Sequence, residues 1–229
     1  MQENTVFVRK FNTKDISPIN ENEVWRYAGY FGKTDKIESE LKKAFEEVKE
    51  ELKDFFSYKV CFRRMARNCD DLSFTGKSKS LSRFLCDSDE VIIFAATVGV
   101  EIDRRISKLG RISPLKMTLA NALGAERIEA LCDAFCGEIA KKMRSENLFC
   151  TKRFSPGYGD LPLSAQKDFF ALLDPSRKIG LSLNESLLMS PSKSVTAIFG
   201  LTKVSTGNSS RKCENCDNLN CEFRKQDTK

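Results

Sequence analysis

The stretch VIIFAATVG, residues 91–99, constrains the fold more than any other part of the chain. It is apolar but for Thr97, rich in β-branched residues, and closes on a glycine. A run this short with that composition reads as a buried strand ending at Gly99. VEIDRRISKLG follows and reads as a helix stopped by Gly110. Further strands are expected at KIGLSL and at SVTAIFGLT, where Val195, Ala197, Phe199 and Leu201 alternate onto one face.

Helical patterns lie between these runs. Over residues 35–56, Ile37, Leu41, Phe45, Val48, Leu52 and Phe55 recur at three- and four-residue steps, with Asp35 and Glu38 fitting a capping box. Residues 115–148 form a long alanine-rich helical region that allows a break near Gly124. Ser164 is placed to cap a short helix, AQKDFFALLD, that must stop at Pro175. Strands and helices alternate irregularly, which predicts an α+β domain over residues 1–202. Residues 203–212 are polar, without periodicity, and read as a linker to a Cys-rich C-terminal tail at 213–229.

A chain of 229 residues suits one medium-sized domain with a tail, and 41% hydrophobic with 31% charged residues suits a soluble protein. No apolar run approaches the roughly 20 residues of a membrane span. The N-terminus carries no signal-peptide pattern, so a cytoplasmic location is expected. The net charge of +6 is modest and the charges are interleaved, so no nucleic-acid partner is indicated.

The chain has nine cysteines and no histidine. That excludes Ser-His and Cys-His catalytic pairs, an imidazole metal ligand and a histidine base within the chain. Cys132 and Cys136, four apart on a helix, suit core packing or a shared metal. Cys213, Cys216 and Cys221 form C-x2-C-x4-C, a spacing that suits zinc or an iron–sulfur cluster but supplies three ligands of four. Cys150, another chain or a substrate would complete it; reduced, unliganded thiols are the other reading.

TGKSKS at 75–80 lacks the glycine of a P-loop, because Asp71 stands five residues before Gly76. No G-x-G-x-x-G follows a strand, which leaves a Rossmann site unsupported. The TVG turn before the helix at 100 reads as an ordinary turn or an anion site. In RFSPGYGDLPLS, residues 153–164, Arg153 can clamp a carboxylate with two hydrogen bonds. Beside it Gly157 and Gly159 bare the backbone amides, and Tyr158 can pack on a base or ribose. A plain proline–glycine turn before a helix explains the same residues.

Four linked blocks within residues 153–201 resemble the C-terminal reactivation domain of cobalamin-dependent methionine synthase. They are Arg153 to Tyr158, Leu172 with Leu173, Ile179 to Ser186, and Pro191 with Ser194 to Thr196. AATVGVEIDRRI and LGAERIEALCDAF resemble the middle of that domain, and EVWRYAGYFGK resembles free-standing versions, so the likeness spans roughly residues 20–202. The cysteine tail resembles an extension of some free-standing members.

The resemblance implies a curved domain with a central, largely antiparallel sheet and an S-adenosylmethionine groove. By position, Arg153 resembles the arginine that holds the ligand carboxylate. Pro156, Gly157 and Tyr158 resemble the groove wall, Glu129 an acidic residue near the ligand amine, and Phe199 an aromatic on the last strand. The implied role is that of an accessory subunit supporting reductive methylation of cob(II)alamin. The implied partners are a cobalamin-carrying methionine synthase without its own activation domain and a flavodoxin- or ferredoxin-type electron donor. A redox protein whose Cys tail serves a corrinoid protein is the alternative.

Overall fold

The computed structural model describes residues 5–30 and 37–204. Strands β1 (Phe7–Phe11), β2 (Tyr58–Ala66), β3 (Glu90–Thr97), β4 (Phe149–Cys150) and β7 (Ser194–Thr202) form one antiparallel sheet in the order β1-β2-β3-β7-β4. A two-residue pair, β5 (Ser182–Leu183) with β6 (Met189–Ser190), stands apart. The expected α+β class with a central antiparallel sheet is what is found.

β3 is apolar from Val91 to Ala96 because both its faces are covered. Ile92, Phe94 and Ala96 join one core; Val91, Ile93 and Ala95 join the other. The first core lies under α1 (Glu21–Tyr27), α2 (Ser39–Leu52), α4 (Val100–Gly110) and the long α5 (Pro114–Arg144). The second lies under α3 (Lys79–Phe84), α6 (Gln166–Leu173) and α7 (Pro175–Ile179). Alternation along β7 sends Ala197, Phe199 and Leu201 to the first core and Ile198 to the second.

Several local expectations change. α5 runs unbroken through Gly124, whose bare Cα lies against the Lys193 side chain; an added Cβ would lie 3.0 Å from Lys193 Cγ. α2 starts at Ser39 after Glu38, which makes no side-chain capping bond. Asp35, the other half of the expected box, lies outside the described residues. Phe55 falls beyond that helix, with the Arg105 guanidinium 3.7 Å from its ring centroid. Ser164 sits inside a short 3-10 turn and caps nothing. Of KIGLSL only Ser182–Leu183 are strand, as β5; the segment opens with the end of α7, because Pro175 starts a new helix after Asp174 takes a left-handed conformation.

Candidate functional site

The last stretch before α6 determines where the sheet edge stays open. After β4, the chain keeps beside β7: Thr151 N donates to Gly200 O at 2.9 Å, and Phe154 and Ile198 exchange bonds of 2.8 and 2.9 Å. Pro156 then turns the chain away. No strand is paired with this edge at Ser194–Thr196 among the described residues. Since Ile198 points its N–H and C=O to this side, two-residue parity points those of Thr196 the same way.

A cleft of about 270 Å³ lies at that open edge, lined by Glu129, Arg153, Pro156, Gly157 and Tyr158 among others. The structure thus brings five of the six residues expected in a cofactor site to one cavity. Phe199 is not among them. Its ring is fully buried between Phe94 and Phe135, at 6.1 and 6.4 Å between centroids. The alternation that puts Phe199 on the core face of β7 keeps its side chain out of the cleft.

Arg153 and Phe154 point to opposite faces, as neighbours in extended chain do. Phe154 packs on Phe84, whereas Arg153 reaches α5. Its Nη2 lies 2.9 Å from Glu129 and 2.9 Å from Asp133. Its Nη1 is buried and bonded to nothing. Burial opposes the charge, but Cys132, Asp133, Glu129 and Cys136 outweigh it and hold the Arg153 pKa above the ordinary value. Glu129, Cys132, Asp133 and Cys136 recur at i, i+3, i+4 and i+7, so they form one stripe of α5. That spacing was the sequence signal for Asp133, which the sequence reading passed over.

Burial pushes the Cys136 thiol up to about 12 and the Cys132 thiol well above its usual value. Cys132 packs in the core, and Cys136 packs against it. No cluster of three metal-ligating side chains occurs among the described residues. Cys213, Cys216 and Cys221 lie outside them.

The turn after Arg153 is held from within. Gly157 N donates to Leu161 O at 2.9 Å and Tyr158 N to Ser155 O at 3.1 Å. The Gly157 amide is therefore not bared for a ligand, contrary to expectation. Gly157 has φ +91 and Gly159 φ +55, and a Cβ on Gly159 would lie 3.0 Å from Ser80 Oγ. Asp160 caps α3: Lys79 N and Ser80 N donate to it at 2.8 and 3.1 Å, and the Ser78 hydroxyl donates to it as well. The Ser78 bond, with those backbone amides, holds the Asp160 pKa down at about 2. TGKSKS is thus a 3-10 turn and a capped helix start. At α4, the first turn already holds Glu101 and Asp103, and Ser192 N donates to Asp103 at 2.6 Å, so the TVG turn is complemented by its own chain.

The cleft also contains residues that sequence reasoning missed: Ser155, Gln166, Met189, Ser194, Val195 and Thr196. Gln166 is 6% exposed and its Oε1 meets no donor.

The fold is thus an antiparallel sheet with helices on both faces and an Arg- and Glu-lined cleft at one edge. Residues 75–215 match the family described as vitamin B12 dependent methionine synthase, activation domain. The match covers more than half of the sequence, and the chain belongs to that family. Among solved structures, the MetH reactivation domain bound to AdoHcy is similar in fold, with a TM-score of 0.61 and 16% identity, over 86% of this chain and 78% of that one. No curated protein matches the sequence. No helix among the described residues is long and apolar enough to cross a membrane.

Proposed function

We propose that this chain binds S-adenosylmethionine in the cleft at the β7 edge. It then serves as an accessory subunit for reductive methylation of cob(II)alamin on a separate methionine synthase that lacks its own activation domain. The observation that carries this reading is the convergence of Arg153, Glu129 and the Pro156–Tyr158 turn on one cleft, in a chain of the activation-domain family. The residues fit the ligand. Nη1 of Arg153 is a buried donor without an acceptor, suited to a carboxylate. Glu129 and Asp133 surround that cation with two carboxylates, which leaves the group net negative. S-adenosylmethionine carries an ammonium, a sulfonium and a carboxylate and is net positive, so the charges are complementary. On this reading Glu129 takes the ammonium and Tyr158 packs on the adenosine.

This chain supplies position rather than a nucleophile. One electron from a flavodoxin- or ferredoxin-type donor and the sulfonium methyl go to the partner's cob(II)alamin, leaving S-adenosylhomocysteine. The lack of histidine is no obstacle where the cobalt belongs to the partner. Tyr158 and Leu188 are each 62% exposed and Leu163 is 41% exposed. Tyr158 lines the cleft, Leu163 lies against Gly157 and Leu188 precedes Met189, so a partner closing over the mouth would cover apolar surface. Zinc or iron–sulfur binding at Cys213, Cys216 and Cys221 is supported by their spacing alone. An anaerobic assay with cob(II)alamin-loaded synthase from the same cell, reductant and S-adenosylmethionine tests the reading. Methylcobalamin should form faster with this chain present; an unchanged rate rejects the role.

A further inference from the structure

The cleft crosses the sheet edge, and its two ends differ. Arg153 and Glu129 mark the end against α5. Ser194 and Thr196 share the parity of Ile198, so their side chains point to the other layer, where α6 packs and Gln166 is its first residue. Gln166 and Thr196 are 6% and 2% exposed, and both line the cleft. A buried amide oxygen without a donor is costly, about 1–3 kcal/mol for such a group. Structures leave few such groups unsatisfied, so Gln166 stands out as a side chain awaiting a ligand.

Resting on the S-adenosylmethionine reading above, we propose that Gln166 reads the adenine of the bound ligand. With the carboxylate on Arg153 at the α5 end, the ligand's far end reaches the α6 end, and that far end is the base. A glutamine amide matches the adenine edge: Oε1 accepts from the 6-amino group while Nε2 donates to N7. No other neutral side chain in the cleft offers both functions from one planar group. Gln166 thereby sets base specificity, separately from the charge recognition at Arg153.

The test compares S-adenosylhomocysteine with its 6-deamino analogue, in which hydrogen replaces the amino group, by calorimetry and competition on the full chain. The wild type should prefer the adenine ligand by roughly tenfold or more, the discrimination of a good bidentate base contact. Gln166→Leu should lose most of that preference and bind both ligands alike. Gln166→Glu, which keeps the acceptor and the shape, should retain the preference for the 6-amino group but lose any preference for N7 over carbon at that position, because its second oxygen cannot donate to N7. A wild type without preference, or variants that weaken both ligands equally, would overturn the assignment while leaving the binding site in place. A wild type that binds neither ligand would overturn the S-adenosylmethionine reading itself, and this inference with it.

Discussion

The two halves of β7 carry neighbouring residues of one strand into opposite roles. From Ile198 to Leu201 the strand has chain on both sides, and Phe199 fills the aromatic core with Phe94 and Phe135. From Ser194 to Thr196 it is paired with β3 alone, and its other side forms the cleft. Side-chain chemistry contributes less to this difference than the chain beside it: Pro156 diverts the neighbouring segment just past Phe154. The lesson is that the site arises where a sheet edge is left unpaired, next to a half that is closed and apolar.

The closed half breaks hardest. Phe199→Ala should cost about 3–5 kcal/mol of stability, the range for emptying a buried aromatic site, read by denaturant unfolding. Ligand affinity of the protein that remains folded should change little, since the ring does not line the cleft. A variant that keeps its stability but loses ligand would place Phe199 in the site and dissolve the contrast.

At the open half, Arg153→Ala should behave in the reverse way. Affinity for S-adenosylmethionine should fall by about 1.5–3 kcal/mol, the range for hydrogen bonds to a charged group. Unfolding should shift less, because Glu129 and Asp133 are partly exposed and regain water. Equal affinity of wild type and variant would remove Arg153 from the proposed binding role.

The smallest effect concerns the tie that holds the turn to α3. The carboxyl of Asp160 has a folded pKa of about 2, against about 3.9 for an unperturbed aspartate. The folded state therefore binds fewer protons than the unfolded state between those values. The stabilisation is complete above about pH 4 and is lost as the pH falls towards 2. Asp160→Asn should lower the Tm at neutral pH and flatten the Tm profile across that acid window. An unchanged profile would mean that the tie contributes nothing.

How much of this was legible differs between the same two halves. The closed half was written in Phe199 and Leu201, the end of an alternation that begins at Val195, and in the apolar run of β3. Composition and period suffice when a strand is packed on both faces. Arg153 and the Pro156–Tyr158 turn were readable as a carboxylate clamp beside a turn, though a plain turn explained them as well; the resemblance favoured the first reading and added Glu129. Gln166 was not legible, because a glutamine at a helix start reads as surface until packing buries it. Thr196 was missed because an open edge belongs to the partner segment's path, which no local pattern records. Phe199 was misplaced because an aromatic near the end of the last strand fits both a core and a ligand wall, and only strand parity separates them. The unbroken course of α5 was hidden at Gly124, where Lys193 from far along the chain takes the space of a side chain.

The most direct test of the central claim is an anaerobic calorimetric titration of the full chain with S-adenosylmethionine. The account predicts saturable binding at one site per chain, competed by S-adenosylhomocysteine and weakened in Arg153→Ala. No binding by the wild type at ligand concentrations in large excess over the protein would contradict it.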